Sequence, residues 1–455
     1  MLSRSKQLLA AANLVLSIII VVFAMGAYKW LHDDPLPALS DHIELLGAVS
    51  HSNAKVFVRD VHHAALECEC RAADAAGPWS KGRHTLNLTH ATEYSDVCIF
   101  DHLEASTRYV YRTRFHGSEV LGSLGSYGQF TTFPLPKAST NTTFLFGSCI
   151  APLPWFSALA VFDWIGEHVA PDFALLLGDI VYADVLQSLG HAFRVPFLRA
   201  YLRVWSNPAF NRLFRQTPNF MQFDDHDVAN DWVGWDSLVD EGVRKWFHLF
   251  ASRKNPPAHS VAPIRAPPSQ NAFHYSFHHS SSLDVFVVDT RGMLNSEPGV
   301  WLGDTQRHHL EEWLKTSRAA FKVVASPISW SLTAAGDENF GGFSADRDAV
   351  FDFITSNNIC GVIILSGDTH WGAEYSLAGG AVREFSASPF QAILFPTGSP
   401  VNGEEPPRFL SGWRYHFGVA RVLDAEMRVQ IFGFYPWQTP WVMHEVVVQS
   451  SCPIV

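Results

Sequence analysis

Four apolar runs in this 455-residue chain each break off into a cluster of charged or nucleophilic side chains, and this repetition constrains the fold more than any other feature. The runs are Phe144-Leu-Phe-Gly-Ser-Cys149, Leu175-Leu-Leu-Gly-Asp-Ile-Val-Tyr182, Met221-Gln-Phe-Asp-Asp-His-Asp227 and Ile363-Ile-Leu-Ser-Gly-Asp-Thr-His370. Near-continuous apolar strands are the mark of a sheet buried on both faces, and open α/β sheets present their functional side chains at the carboxyl ends of such strands. Further runs at Asp284-Val-Phe-Val-Val288 and Lys322-Val-Val-Ala325 alternate with amphipathic stretches such as residues 306–317. The pattern predicts an α/β layered domain whose functional loops lie at the strand ends.

Taken singly, each cluster has a plain structural explanation: a buried core thiol at Cys149, a helix cap at Asp179, a satisfied turn around Asp368 and His370. Asp224-Asp-His-Asp227 is harder to explain that way, because three carboxylates packed around one imidazole repel each other unless cations or hydrogen-bond donors compensate. Together the four clusters supply hard carboxylates, imidazole, phenol and thiol, a plausible donor set for a transition-metal pair. The four clusters centre on Cys149, Asp179, Asp225 and His370, with Tyr182 and Asp368 beside them. Adjacent histidines such as His62-His63, His278-His279 and His308-His309 point in different directions and are read as structural.

The rest of the chain frames this domain. Residues 1–30 carry a short basic segment and then an apolar stretch over residues 8–27, long enough to span a bilayer as a helix. This predicts a signal anchor, giving a single-pass type II membrane protein with a lumenal or extracellular catalytic domain; a cleaved signal peptide and a secreted protein are the alternative. Sequons at Asn87 and Asn141 fit an exported glycoprotein. Six cysteines in that setting suggest one or two disulfides, with Cys98 joined to Cys68 or Cys70. Residues 40–133 read as short alternating strands of a small β-sandwich, residues 134–143 as a linker, and residues 144–455 as the layered domain. A long Pro-rich stretch near residues 255–267 reads as a surface loop. The net charge of −11 speaks against a nucleic-acid partner. Trp371, Trp413, Trp437 and Trp441 either line a pocket or fill the core.

A strand followed by Gly-Asp-x-x-Tyr, then an Asp-His-Asp step, then a late Gly-x-x-His resembles the ordered signature of calcineurin-like metallophosphoesterases. Ser-Cys149, Gly-Asp-x-x-Tyr182, Asp-Asp-His-Asp227 and Ser-Gly-Asp-x-His370 together resemble the alkaline phosphatase D (PhoD-like) family. Val288-Asp-Thr-Arg291 and Trp301-Leu-Gly-Asp-Thr-Gln306 agree with that family's further motifs, and Leu103 to Arg112 is similar to a fibronectin type III module. The resemblance implies a four-layer α-β-β-α metallophosphoesterase sandwich behind a fibronectin-III-like sandwich and the N-terminal helix. It implies Fe(III) held by Cys149, Asp179, Tyr182 and His370, and Ca held by Asp179, Asp225 and Asp368. Thiolate and phenolate do suit Fe(III), and an oxygen-only site suits calcium.

The implied reaction is water-dependent hydrolysis of phosphate diesters or monoesters, of small molecules or lipid head groups. His226 would act as acid or transition-state stabiliser, with Arg291 and Asn230 as substrate contacts. Two other readings are a purple-acid-phosphatase-like monoesterase and a non-catalytic ligand-binding ectodomain. One departure stands out: residues 322–330 lack the further His ligand that most of the superfamily carries between the third and fourth motifs, which puts the second ion in doubt. His308-His309 also stand where the family more often has Trp, which reads as a surface difference.

Overall fold

The computed structural model describes residues 41–74, 77–83, 85–115, 127–151, 159–184, 196–232, 245–259, 273–292, 301–332, 344–397 and 406–452. Two large sheets form its centre. One runs Asn219–Gln222, Phe173–Leu177, Thr142–Gly147, Tyr415–Leu423, Glu426–Phe434 and Trp441–Gln449, the first three parallel and the rest antiparallel. The other places Leu283–Val287, Phe321–Ser326, Val362–Ser366 and Val382–Ala387 side by side and parallel, with antiparallel strands at both edges. The fold is thus mixed α/β with several sheets.

Side-chain alternation explains why the strands read as unbroken apolar runs. Phe144, Phe146, Leu175 and Leu177 share one core with Val285, Val287, Val323, Ala325, Ile363 and Leu365 of the second sheet. The residues between them point the other way: Leu145 and Leu176 pack with Phe162, Trp205 and Phe210, while Phe286, Val324 and Ile364 pack with Leu310, Leu314 and Val350. Those partners lie on the helices Val161–His168, Phe197–Trp205, Pro208–Phe214, Gly303–Thr316 and Ser344–Ser356. Each sheet is therefore apolar on both faces, one against its twin and one against helices.

Before this body lie a three-stranded sheet (His42–Val49, Ala54–Asp60, Ser95–Phe100) and a five-stranded one built around Ala65–Ala72 and Arg108–Phe115. The disulfide Cys68–Cys98 joins the two sheets, deciding between the two pairings left open by the sequence. Cys70 remains a buried thiol, pushed up to about 12 by burial. These sheets are not a loose appendage: Ile43, Leu45 and Phe57 share a core with Tyr201 and Phe250. The buried Glu44 carboxylate accepts from Thr113 and Arg215, each at 2.7 Å. A second disulfide, Cys360–Cys452, ties the end of the chain to the loop before Val362–Ser366.

The membrane placement is corrected here. No helix of the described residues is long and apolar enough to cross a membrane, and the apolar stretch that suggested an anchor, residues 8–27, lies outside them. Most of the Pro-rich stretch, from residue 260 onward, also lies outside. A strand begins at Thr142, inside the segment read as linker. The histidine pairs take structural partners. His63 bonds Asp60 and His278 bonds Asp284, while His309 is no mere surface substitution, since its Nδ1 lies 2.9 Å from Nε2 of the buried His274.

Candidate metal centre

Strand ends of both sheets converge to build the site. Cys149 follows Thr142–Gly147, Asp179 follows Phe173–Leu177, Asp225 follows Asn219–Gln222, and Asp368 follows Val362–Ser366. Close approach of the turns depends on glycine. Gly178 has φ +85, and a Cβ there would sit 2.5 Å from that of Asp224; a Cβ on Gly367 would sit 2.5 Å from that of Ser148. Five of the six candidate ligands, Cys149, Asp179, Tyr182, Asp368 and His370, also have positive φ, between 44 and 64. Non-glycine residues in this region cost of order 1 kcal/mol or more each, and such strain gathers where a site over-determines its geometry.

The converging side chains form three overlapping donor groups. One atom from each of Cys149, Asp179 and His370 lies within 4.8 Å of the others; the same holds for Asp179, Asp225 and His226, and for Asp179, Asp224, Asp225 and Asp368. Asp179 belongs to all three. Tyr182 joins through its hydroxyl, 2.9 Å from His370 Nε2. His370 Nδ1 bonds the carbonyl of Ile393, which fixes the tautomer and turns Nε2 toward the cluster. Ser388 donates to Cys149 Sγ at 3.0 Å and Ser148 Oγ lies 3.1 Å from it; these hydroxyls also accept the His370 and Asp368 N–H groups.

The three carboxylates of Asp224-Asp-His-Asp227 are compensated in different ways. Asp227 accepts the N–H groups of Ile180, Val181 and Asp224, so it clamps backbone. Asp224 is bonded to Arg291, yet among the described residues its Oδ2 has no hydrogen-bond partner. Asp225 takes the Asp231 N–H at 2.8 Å and lies 3.2 Å from the Arg291 guanidinium. His226 Nδ1 is held by Asp184 at 2.9 Å, and its ring stacks on Tyr182.

The electrostatics show a shortage of positive charge. Burial, with nearby carboxylates, pushes Asp368 up to about 7 and the Cys149 thiol and Asp179 carboxyl well above their ordinary ranges. Burial disfavours the charged form of His226, but Asp179, Asp225 and Asp184 outweigh it and raise the imidazole. Burial, aided by His226, lowers His370 to about 4, so that ring is neutral and able to ligate. One arginine and the His226 imidazole cannot balance this many buried acidic donors, and among the described residues an orphaned carboxylate oxygen remains. The donor set fits one or two cations.

The matched family model, PhoD-like phosphatase, covers residues 144–411. The chain belongs to the PhoD-like phosphatase family. It is therefore a phosphoesterase enzyme, and metal-dependent phosphoester hydrolysis is its chemistry. The fold of this PhoD-like protein is similar to that of PhoD itself, at 17% identity and a TM-score of 0.71 over 91% of this chain and 90% of that one. It is also similar to the purple acid phosphatase PPD1 from yellow lupin (Lupinus luteus) seeds, at 12% identity and a TM-score of 0.65 over 89% and 74%. No curated protein matches the sequence significantly.

The two residues read as substrate contacts take opposite positions, one buried and one exposed. Arg291, expected to contact substrate, is wholly buried with its guanidinium on Asp224 and Asp225. Its turn is held by Asp289, which accepts the Arg291 and Gly292 N–H groups, and Gln306 brackets the Asp289 peptide from both sides. The Asp-Thr-Arg and Leu-Gly-x-x-Gln motifs are thus one support. Asn230 is exposed beside Asp231. Sequence reasoning missed Asp184, whose signal was its place two residues past the Gly-Asp-x-x-Tyr motif, and Ser388, which had none. Where a further His was sought, Pro327 offers its carbonyl to the Gly367 N–H at 3.0 Å.

Proposed function

We propose that this enzyme hydrolyses phosphate esters at a dinuclear centre in which Cys149, Asp179, Tyr182 and His370 hold Fe(III) and Asp179, Asp225 and Asp368 hold Ca. The single observation that carries this reading is the membership of Asp179 in all three donor groups, which suits a bridging carboxylate. When bound, such cations supply positive charge against the phosphoryl oxygens and a means of deprotonating water at neutral pH.

The chain's own residues do the rest. His226, oriented through Nδ1 by Asp184, donates a hydrogen bond or a proton to the phosphoryl or leaving oxygen. Arg291 is a positioning residue for Asp225, and Asn230 is retained as a substrate contact from the exposed side. Residues 40–133 are read as a fibronectin-III-like module, supported by Tyr109, whose hydroxyl accepts the Glu104 N–H at 2.9 Å. Asn87 and Asn141 are read as glycosylation sites of an exported chain.

The test is to measure bound iron and calcium in the purified protein, and turnover of bis(p-nitrophenyl) phosphate and p-nitrophenyl phosphate, for wild type and Asp179→Asn. Both metals are expected in wild type and both fall in the variant, together with activity. Zinc in place of iron would overturn the metal assignment.

A further inference from the structure

A series of exposed large apolar residues is linked to the donor cluster by ring stacking and hydrogen bonds. Phe395 stacks on the His370 ring, with centroids 5.1 Å apart, and is 48% exposed. Trp413, 60% exposed, donates its backbone N–H to the Phe395 carbonyl at 2.9 Å. The Trp413 carbonyl accepts from the Tyr435 hydroxyl, and the Tyr435 ring stacks on Trp437, which is 72% exposed. Ile393, 54% exposed, gives its carbonyl to His370.

Core packing does not account for this series. Aromatic rings stabilise a fold by the area they bury, and rings left this far in water contribute little of it. Contiguous exposed apolar surface marks a place where something binds. Trp413 is moreover held at φ +60, a costly conformation for a bulky residue. The preceding Gly412 presses so closely on residues 395–397 that a Cβ would meet the Phe395 carbonyl oxygen at 2.8 Å. The backbone is thus locked in a shape that keeps the indole outside.

We propose that Phe395, Trp413 and Trp437 form a subsite for a flat or apolar organic group of a phosphodiester whose phosphoryl group is held at the donor cluster. The proposal rests on the phosphoesterase centre above and assigns its substrate class: diesters with one large apolar ester group. Continuity with His370 sets this occupant apart, because the series begins on a donor residue and an ester group leaving the centre on that side meets Phe395 first.

The test uses p-nitrophenyl phosphodiesters that share one leaving group and differ in the second ester: methyl, hexyl or phenyl. The readout is the ratio of kcat/KM for each large ester over the methyl ester, which cancels any general loss of activity. Wild type is expected to favour at least one large ester by about 10-fold, the equivalent of roughly 1.4 kcal/mol. In Trp413→Ala and, independently, Trp437→Ala, that ratio falls several-fold with bound metal unchanged. A gain for phenyl alone identifies a stacked ring as occupant, an equal gain for hexyl identifies a chain, and either supports the subsite. A wild-type ratio near one, or a ratio preserved in both variants, overturns it while leaving the phosphoesterase centre intact. Absence of turnover of every ester by the metal-loaded protein overturns both.

Discussion

Asp184 lies five residues beyond Asp179, and among the described residues its side-chain bonds run to His226, whose Nδ1 it approaches with both oxygens. A carboxylate in that position sets the tautomer and orientation of an imidazole without touching the reacting atoms. Asp184→Asn is therefore expected to lower kcat by about 10- to 100-fold while bound metal stays constant, checked by elemental analysis beside steady-state kinetics. Gly178→Ala acts differently: the added Cβ collides with Asp224 at a φ of +85, so it is expected to cost about 1–3 kcal/mol and to lower both Tm and metal content. At this scale the sequence was informative where chemistry is written in residue type. The Gly-Asp turns and the Asp-Asp-His-Asp run announced themselves. Left-handed backbone at Cys149 or Asp368 did not, because it is imposed by contacts such as Ser148 and Ser388 that arrive from distant parts of the chain.

Among elements, the strand His42–Val49 carries a pH-sensitive joint. His42 bonds Asp60 on the neighbouring strand at 3.0 Å and Glu44 at 3.1 Å. Burial lowers the imidazole, but these two carboxylates outweigh it and raise it from 6.5 to about 9. A raised histidine stabilises the fold fully below pH 6.5 and loses that contribution as pH climbs through about 9. Thermal melts are thus expected to show Tm falling between these values, by an amount equivalent to about 1–3 kcal/mol. His42→Gln is expected to flatten that slope, and an unchanged slope would remove His42 as its cause. The parallel strands of both sheets were legible as apolar runs because each is buried on two faces. Tyr415–Leu423 was hardly legible as the partner of Thr142–Gly147, since an antiparallel return strand carries no motif and here pairs across 270 residues or more of sequence; Glu426–Phe434 and Trp441–Gln449 then add to it as local hairpins.

For the whole molecule, the disulfide Cys360–Cys452 closes a separation of 92 residues around the late strands of both sheets. In the loop-closure view its removal by Cys360→Ser with Cys452→Ser is expected to cost about 2–4 kcal/mol, read as a lower denaturation midpoint with an unchanged slope. The layered architecture followed from the strand-helix alternation, but the intimacy of the N-terminal sheets with that body did not: Ile43, Leu45 and Phe57 read as the private core of a small sandwich and instead share one with Tyr201 and Phe250. The left-handed torsions of the donor residues have a consequence in time. A ligand held by a relaxed, adjustable backbone can swing away alone, and an ion so bound escapes one arm at a time. Here Cys149, Asp179, Tyr182 and His370 are each wedged in a torsion that the packed turns dictate, so no arm leaves without disturbing its neighbours. An ion in that corner would leave only when several turns shift together, a slower exchange than at a site of free-swinging arms.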